Sequence, residues 1–301
     1  MTIRLFVAAI MLGSIPTVAA AQASGGPPIA YVKRVSNGDE IYLVNDNGSG
    51  LIRLYKAPSK IVVTMLDLRP SGGEIAFTEN HRSLKILAFD EFGRPSPGNP
   101  REILRVSSPC SVESPDYHPT NGTLLFVEGC GRDRSVRTVG SGGNSADEAA
   151  LFSTAVFRAR WSRLGDWIYY IGLRPNAASS DPTYLYRRSS SAGSDGADEL
   201  GILNTWNTFD VARQGERLFW DAGNGTFQLL DLATGTGTGD ATQLECPRGM
   251  RMAFSPGDTS FVYTTSTTKG GHYVMVGGSN CGQPNALTGK GSWSLLDWRS
   301  P

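Results

Sequence analysis

The chain has 301 residues, with 36 glycines, 17 prolines and only 19% charged side chains. That profile fits many short strands joined by tight turns and argues against a helical bundle. Lys plus Arg and Asp plus Glu balance at 28 each, so no net field draws the chain to nucleic acid or an anionic surface, and a nucleic-acid partner is not expected.

The first element is a targeting segment. Arg4 supplies a short positive start, Leu5 to Leu12 form an apolar run too short to span a bilayer, and Ala19, Ala20, Ala21 and Ala23 provide small residues around two cleavage points. Residues 1–23 are therefore expected to be a signal peptide, and 24–301 the mature chain. No cysteine follows either cleavage point, so no lipid anchor is indicated, and no later run reaches membrane-spanning length. The expected location is the periplasm or the exterior.

After it, β-forming runs follow one another in a repeated layout. Each repeat has an apolar or aromatic residue, a turn rich in Gly, Pro, Ser or Arg, and a dense strand. The copies are Asp67–Phe77 (DLRPSGGEIAF), Asp116–Phe126 (DYHPTNGTLLF), Arg160–Tyr170 (RWSRLGDWIYY), Asp210–Trp220 (DVARQGERLFW) and Ala253–Tyr263 (AFSPGDTSFVY). A sixth, Asp297–Pro301 (DWRSP), stops at the chain end. The turn positions Pro70, Pro119, Arg163, Arg213, Pro256 and Ser300 lie 49, 44, 50, 43 and 44 residues apart. Spacing in the forties suits four strands and their turns, one blade of a propeller.

The two ends complement each other. The last repeat ends after one strand and turn, while Pro27–Tyr31 reads as the second strand of the same unit. The predicted fold is thus all-β: a six-bladed propeller closed by a split blade, with the C-terminal strand innermost and N-terminal strands outside it. Such closure leaves no open sheet edge.

These repeats resemble the WD40-like PD40 repeats of the TolB-type propeller, best at Asp67–Phe77 and Ala253–Tyr263, while the third and fourth copies lack the proline. The resemblance spans about residues 27–301. It implies the fold and leaves the function open, because one propeller serves binding proteins, gating domains and hydrolases. An α/β domain precedes the propeller in TolB, whereas strand sequence is expected here within a few residues of the cleavage site.

Candidate site residues sit on the first strand of each repeat. Three places before the turn stand Asp67, Asp116, Arg160, Asp210, Ala253 and Asp297; one place before it stand Arg69, His118, Ser162, Ala212, Ser255 and Arg299. In a propeller these strands line the channel. One reading is a polar channel mouth that binds a cation through these aspartates, or an anionic group through Arg69, Arg299 and His118. The other has each aspartate accepting backbone N–H groups within its own or the next blade, with arginines as counter-charges. Tyr117, Trp161, Phe254 and Trp298 alternate with these residues and are expected to pack blade against blade.

Catalytic signatures are missing: there is no nucleophile elbow, phosphate loop or zinc motif, and only His81, His118 and His272 are present. Carboxylates from separate blades, such as Asp116 and Asp210, would leave no local signature in a glycan hydrolase. No cofactor and no metal are called for. The Asn45–Gly50 turn (NDNGSG) looks like part of a calcium loop but is read as a hairpin. Cys110 and Cys130 flank the Thr120 turn symmetrically, which suits a disulfide across that hairpin. Cys246 and Cys281 remain as a second pair by elimination, although blade geometry puts them at opposite ends. The functional expectation is an exported, monomeric, non-catalytic module that binds or scaffolds another envelope protein. The alternative is glycan or peptide binding, or glycan hydrolysis, at the channel mouth, with Trp161, Trp206 and Trp298 as stacking surfaces.

Overall fold

The computed structural model describes residues 28–298 apart from 91–92, 99, 132, 141, 143–148, 154, 163, 179–180, 192–195, 204–208, 213–216, 223–225, 233–236, 245–248, 267–271, 279–284 and 289–292. The described residues form six four-stranded antiparallel sheets. Blade 1 contains β4 (Val63–Leu68), β5 (Glu74–Glu79), β6 (Ser83–Ala88) and β7 (Arg101–Arg105). Blade 2 contains β8 (Cys110–Tyr117), β9 (Leu124–Cys130), β10 (Asp133–Val139) and β11 (Ala149–Ser153). Blade 3 runs through β12 (Val156–Trp161), β13 (Trp167–Gly172), β14 (Tyr184–Ser189) and β15 (Asp198–Ile202). Blade 4 runs through β16 (Phe209–Val211), β17 (Arg217–Asp221), β18 (Phe227–Asp231) and β19 (Thr242–Leu244). Blade 5 has β20 (Gly249–Phe254), β21 (Ser260–Ser266), β22 (His272–Gly278) and β23 (Asn285–Ala286). The sixth sheet has the order β24 (Trp293–Trp298), β1 (Pro28–Lys33), β2 (Glu40–Asn45), β3 (Ile52–Lys56), with Ala30 opposite Asp297 and Tyr31 opposite Leu296.

The first strands of the blades make the inner ring: β4 touches β8, β8 touches β12, and the series runs through β16, β20 and β24 back to β4. Both faces of each sheet are covered, so the strands read as dense apolar runs, as fully buried strands do. Among the described residues the core is six clusters, one at each blade junction. Leu68, Ile75 and Phe77 of blade 1 pack on Val32, Ile41 and Leu43 of the sixth sheet. Tyr117, Leu124 and Phe126 of blade 2 pack on Ala76, Leu84 and Ile86 of blade 1. Trp161 joins Leu125, Val127 and Val136 across the next junction. Phe254 and Phe261 meet Phe219 and Phe227 between blades 4 and 5, and Ala253 and Val262 meet Ile29 and Tyr31 between blade 5 and the sixth sheet. Tyr117, Trp161 and Phe254 thus pack blade against blade; the Trp298 side chain lies outside the described residues.

The Asn45–Gly50 segment is a hairpin turn: Gly48 N donates to Asn45 O at 2.9 Å, Asn45 N donates to Ser49 O at 2.9 Å, and the Asn47 side chain accepts from Ser49 N at 2.9 Å. Cys110 lies opposite Cys130 in the β8–β9 register, and the two form a disulfide. Disulfides persist in oxidising compartments. Cys246 and Cys281 lie outside the described residues. Among those residues no helix is long and apolar enough to cross a membrane.

Candidate functional site

Three aspartates of the inner ring perform one repeated task. Asp67 Oδ2 accepts the Tyr117 N–H at 2.8 Å, Asp116 Oδ2 accepts the Trp161 N–H at 2.6 Å, and Asp210 Oδ2 accepts the Phe254 N–H at 3.2 Å. Each is buried, and each reaches the backbone of the next blade's inner strand one residue past its own equivalent. Arg160 occupies the aspartate position in blade 3. Its Nη1 donates to Asp116 Oδ1 at 2.8 Å and, past blade 2, to Asp67 Oδ1 at 3.0 Å. In Asp67 and Asp116, therefore, one oxygen holds a backbone donor and the other a guanidinium. A buried carboxylate satisfied in this way fixes the blades against each other. Among the described residues no three His, Cys, Asp or Glu side chains gather in a way that would hold a metal ion.

The next positions toward the turn also work sideways. Arg69 pairs with Glu74 at 2.8 Å, lies 6.0 Å from the centre of the Tyr117 ring, and rests against Gly122 of blade 2, where a β-carbon would fall 2.6 Å from Nη2. His118 meets the Trp161 ring edge-on at 4.8 Å and lies against Gly165 of blade 3, where a β-carbon would fall 2.0 Å from Nε2. Gly122 and Gly165 both have positive φ, +73° and +75°, so glycine meets a conformational and a spatial need at each. His118 Nδ1 faces the Thr120 and Asn121 N–H groups at 3.3 and 3.4 Å. Desolvation lowers the His118 pKa below 6.5, with a hydrogen bond to the Gly165 backbone opposing the shift. Arg69 and His118 are thus each engaged with a neighbouring blade's turn. The Asp297 side chain and all of Arg299 lie outside the described residues, as does Trp206.

A second polar layer lies two residues back along the inner strands, about 7 Å away at roughly 3.3 Å per residue. It contains Met65, Ser114, Arg158 and Arg251. The sheet register slips just before this layer in four sheets, between Val63 and Met65, Val156 and Arg158, Gly249 and Arg251, and Trp293 and Leu295. A bulge of this kind re-aims the side chains beside it. Ser114 ties blade 2 to blade 3, its hydroxyl accepting from Ala159 N at 3.1 Å and donating to Ala159 O at 3.0 Å. Arg158 reaches past blade 2, as Arg160 does, and its Nη1 contacts the Met65 thioether sulfur.

Electrostatically, this layer is the opposite of the aspartate layer. Burial pushes the Arg158 guanidinium pKa down to about 9, with Arg251, Arg160 and Arg134 adding like-charge repulsion and Glu113 opposing it. Glu113 is itself shared, pairing with Arg134 at 3.2 Å and facing His81 Nδ1 at 3.6 Å. Arg251 is also pushed down by burial, with Asp221 favouring its charge and Arg34 opposing it. Arg34 comes from the loop after β1 and pairs with buried Asp39, which also accepts the Val63 N–H at 2.8 Å. Arg158 and Arg251 belong to no repeat motif, so the repeat does not single them out. The signal was period-two alternation: each lies two residues before its blade's ladder position and shares its face of the strand.

An inner ring of polar ladders inside six four-stranded blades defines a β-propeller, and its fold is that of the TolB-like propellers. The structure is similar to TolB from Acinetobacter baumannii, at 14% identity over 91% of this chain and 67% of that one, with a TM-score of 0.70. A protein of unknown function from Bacteroides caccae aligns at 14% identity over 90% of this chain and 98% of its own, TM-score 0.57. An oligogalacturonate lyase in complex with manganese aligns at 9% identity over 87% of this chain and 81% of that one, TM-score 0.52. At these identities the likeness is one of fold. Neither a protein-family profile nor a curated protein sequence matches the chain.

Proposed function

We propose that the chain is an exported propeller, freed of residues 1–23, that works in the periplasm as a monomeric, non-catalytic module binding another envelope protein. The observation that supports this most is the use made of the inner aspartates. Asp67, Asp116 and Asp210 each hold the neighbouring blade rather than a solvent-filled pocket. A ring held in that way is a rigid frame that presents its loops. The Cys110–Cys130 disulfide fits an exported protein. On the face at which the inner strands begin, the loop between β13 and β14 exposes Arg174, Pro175, Asn176 and Pro182, with buried Leu173 and Thr183 at its ends.

The test is affinity capture with the tagged mature protein from its native envelope extract, followed by mass spectrometry. One envelope protein is expected to be recovered reproducibly, and lost when residues 174–182 are replaced by a short Gly-Ser linker. Clean elution from repeated extracts would overturn the reading. The mass of the protein recovered from the envelope tests the signal peptide, which predicts a mature chain starting at residue 22 or 24.

A further inference from the structure

The sulfur of Met65, in blade 1, is the meeting point of N–H donors from two other blades. The Ser114 N–H of blade 2 approaches it at 3.2 Å, and Arg158 Nη1 of blade 3 reaches it past blade 2. A guanidinium carries five N–H donors and a thioether accepts them weakly, yet this sulfur is the acceptor that Arg158 meets among the described residues. Ser114 stands there with φ at +53°, in the left-handed region that a serine seldom adopts. Its hydroxyl is locked onto Ala159 N and O, so the N–H that points at the sulfur is held in place. Donors outclass the acceptor at this point of the ring. Met65 is partly exposed on an inner strand, while Met252, in the core between blades 4 and 5, is 2% exposed. A small solute in the channel therefore has a path to the first side chain and not to the second.

We propose that Met65 is a reversible oxidation site whose sulfoxide oxygen accepts hydrogen bonds from the Arg158 guanidinium and the Ser114 N–H. The oxidant is hydrogen peroxide. A sulfur lone pair attacks one peroxide oxygen, the O–O bond breaks, and the other oxygen leaves as water with both peroxide protons. Sulfur is oxidised by two electrons and the peroxide is reduced by two. In an apolar core a sulfoxide is disruptive, because its oxygen finds no donor. Here the donors are in place before the oxygen arrives, and each exchanges a weak acceptor for a strong one. A thiol-dependent sulfoxide reductase restores the thioether, two thiols becoming a disulfide as the oxygen leaves as water. The site does not rest on the protein-binding reading, since it concerns the ring alone.

The test treats the folded mature protein with hydrogen peroxide at neutral pH and reads the added oxygen, residue by residue, in peptide mass spectra. Met65 is expected to gain an oxygen about tenfold faster than Met252, or more, and to lose it again to methionine sulfoxide reductase with dithiothreitol. Protein oxidised at Met65 is expected to melt about 2 °C higher than the untreated protein, the shift that one improved hydrogen bond gives in a chain of this size. In Arg158→Leu the same oxidation is expected to give no such rise, because the oxygen then lacks its guanidinium. Met65→Gln, whose amide oxygen stands in for the sulfoxide oxygen, is expected to melt above Met65→Leu by a similar margin. Should Arg158→Leu fail to fold, the Gln and Leu pair carries the test. Oxidation of Met65 no faster than that of Met252 overturns the site. A melting temperature that oxidation at Met65 does not raise, or Met65→Gln melting no higher than Met65→Leu, overturns the hydrogen-bonded sulfoxide. A rise that persists in Arg158→Leu overturns the role given to Arg158.

Discussion

The two layers of the channel carry different side chains and are held in different ways. In the layer nearer the turns, Asp67, Asp116 and Asp210 of blades 1, 2 and 4 each end on a backbone N–H of the next blade. In the layer behind it the side chains vary: Met65, Ser114, Arg158 and Arg251 stand at matching places, and burial pushes the pKa of both guanidinium groups down. A polar residue copied around a ring answers a need that each junction shares, which is structural. A polar residue found in two blades answers something particular to this chain. Repetition of a charge is therefore a reason to look for function elsewhere, and its irregularity is a reason to look there.

The two ends are also held by different means, and the largest expected effect tests that. The disulfide lies where β8 begins and β9 ends, beside Arg82, which donates to Ser107 O at 3.2 Å and to Cys110 O. It closes a segment with a sequence separation of 20, for which chain entropy gives about 3 kcal/mol. Cys110→Ser with Cys130→Ser is expected to lower stability by about that amount in urea titration. A single cooperative transition would show that the arginine layer and the aspartate layer unfold together. Two transitions would show that the aspartate ladder holds the ring without the covalent tie. A loss below about 1 kcal/mol would mean that the start of β8 is held by its hydrogen bonds alone.

Asp116→Ala is expected to cost about 2 kcal/mol, because the buried Trp161 N–H loses its acceptor and Arg160 loses one of its carboxylates. In a chain of this size that lowers the melting temperature by roughly 3–4 °C. Asp116→Asn retains a neutral acceptor for the N–H and should recover part of it. A change under about 1 °C in Asp116→Ala would break the comparison, since it would release Asp116 from the structural ladder and return it to the pool of ligand-binding groups.

The ladder was more legible in the sequence than the arginine layer, for physical reasons. Asp67, Asp116 and Asp210 stand at a fixed distance before a recognisable turn, and the turn exists because every blade needs the same hairpin. The aromatics at Tyr117, Trp161 and Phe254 were readable as junction packing by the same logic. Arg160 broke the pattern, and its role needs the channel radius: only across a narrow ring can one guanidinium meet carboxylates of blades 1 and 2 together. Arg158 and Arg251 depend on bulges that shift the register beside them, and no residue type announces those bulges. The lateral roles of Arg69 and His118 were equally hidden, because the surfaces that receive them are glycines of the next blade, Gly122 and Gly165.

The smallest expected effect sharpens the comparison at His118. Its ring is wedged between Trp161 and Gly165, and desolvation lowers its pKa from the ordinary 6.5. The unfolded chain therefore binds this proton more readily than the folded one, so stability rises with pH across the interval between the two values. The stability supplied by the neutral ring is fully present above pH 6.5 and is lost as the pH falls through the lower folded value. Thermal unfolding of the wild type is expected to lose stability on going from pH 7.5 to pH 5, and His118→Asn to lose less over the same interval. Equal slopes would mean that the ring accepts a proton without leaving the Gly165 turn. His118 would then behave as a solvent-facing group at the channel mouth, and the turn end of the channel would have a free titrating residue after all.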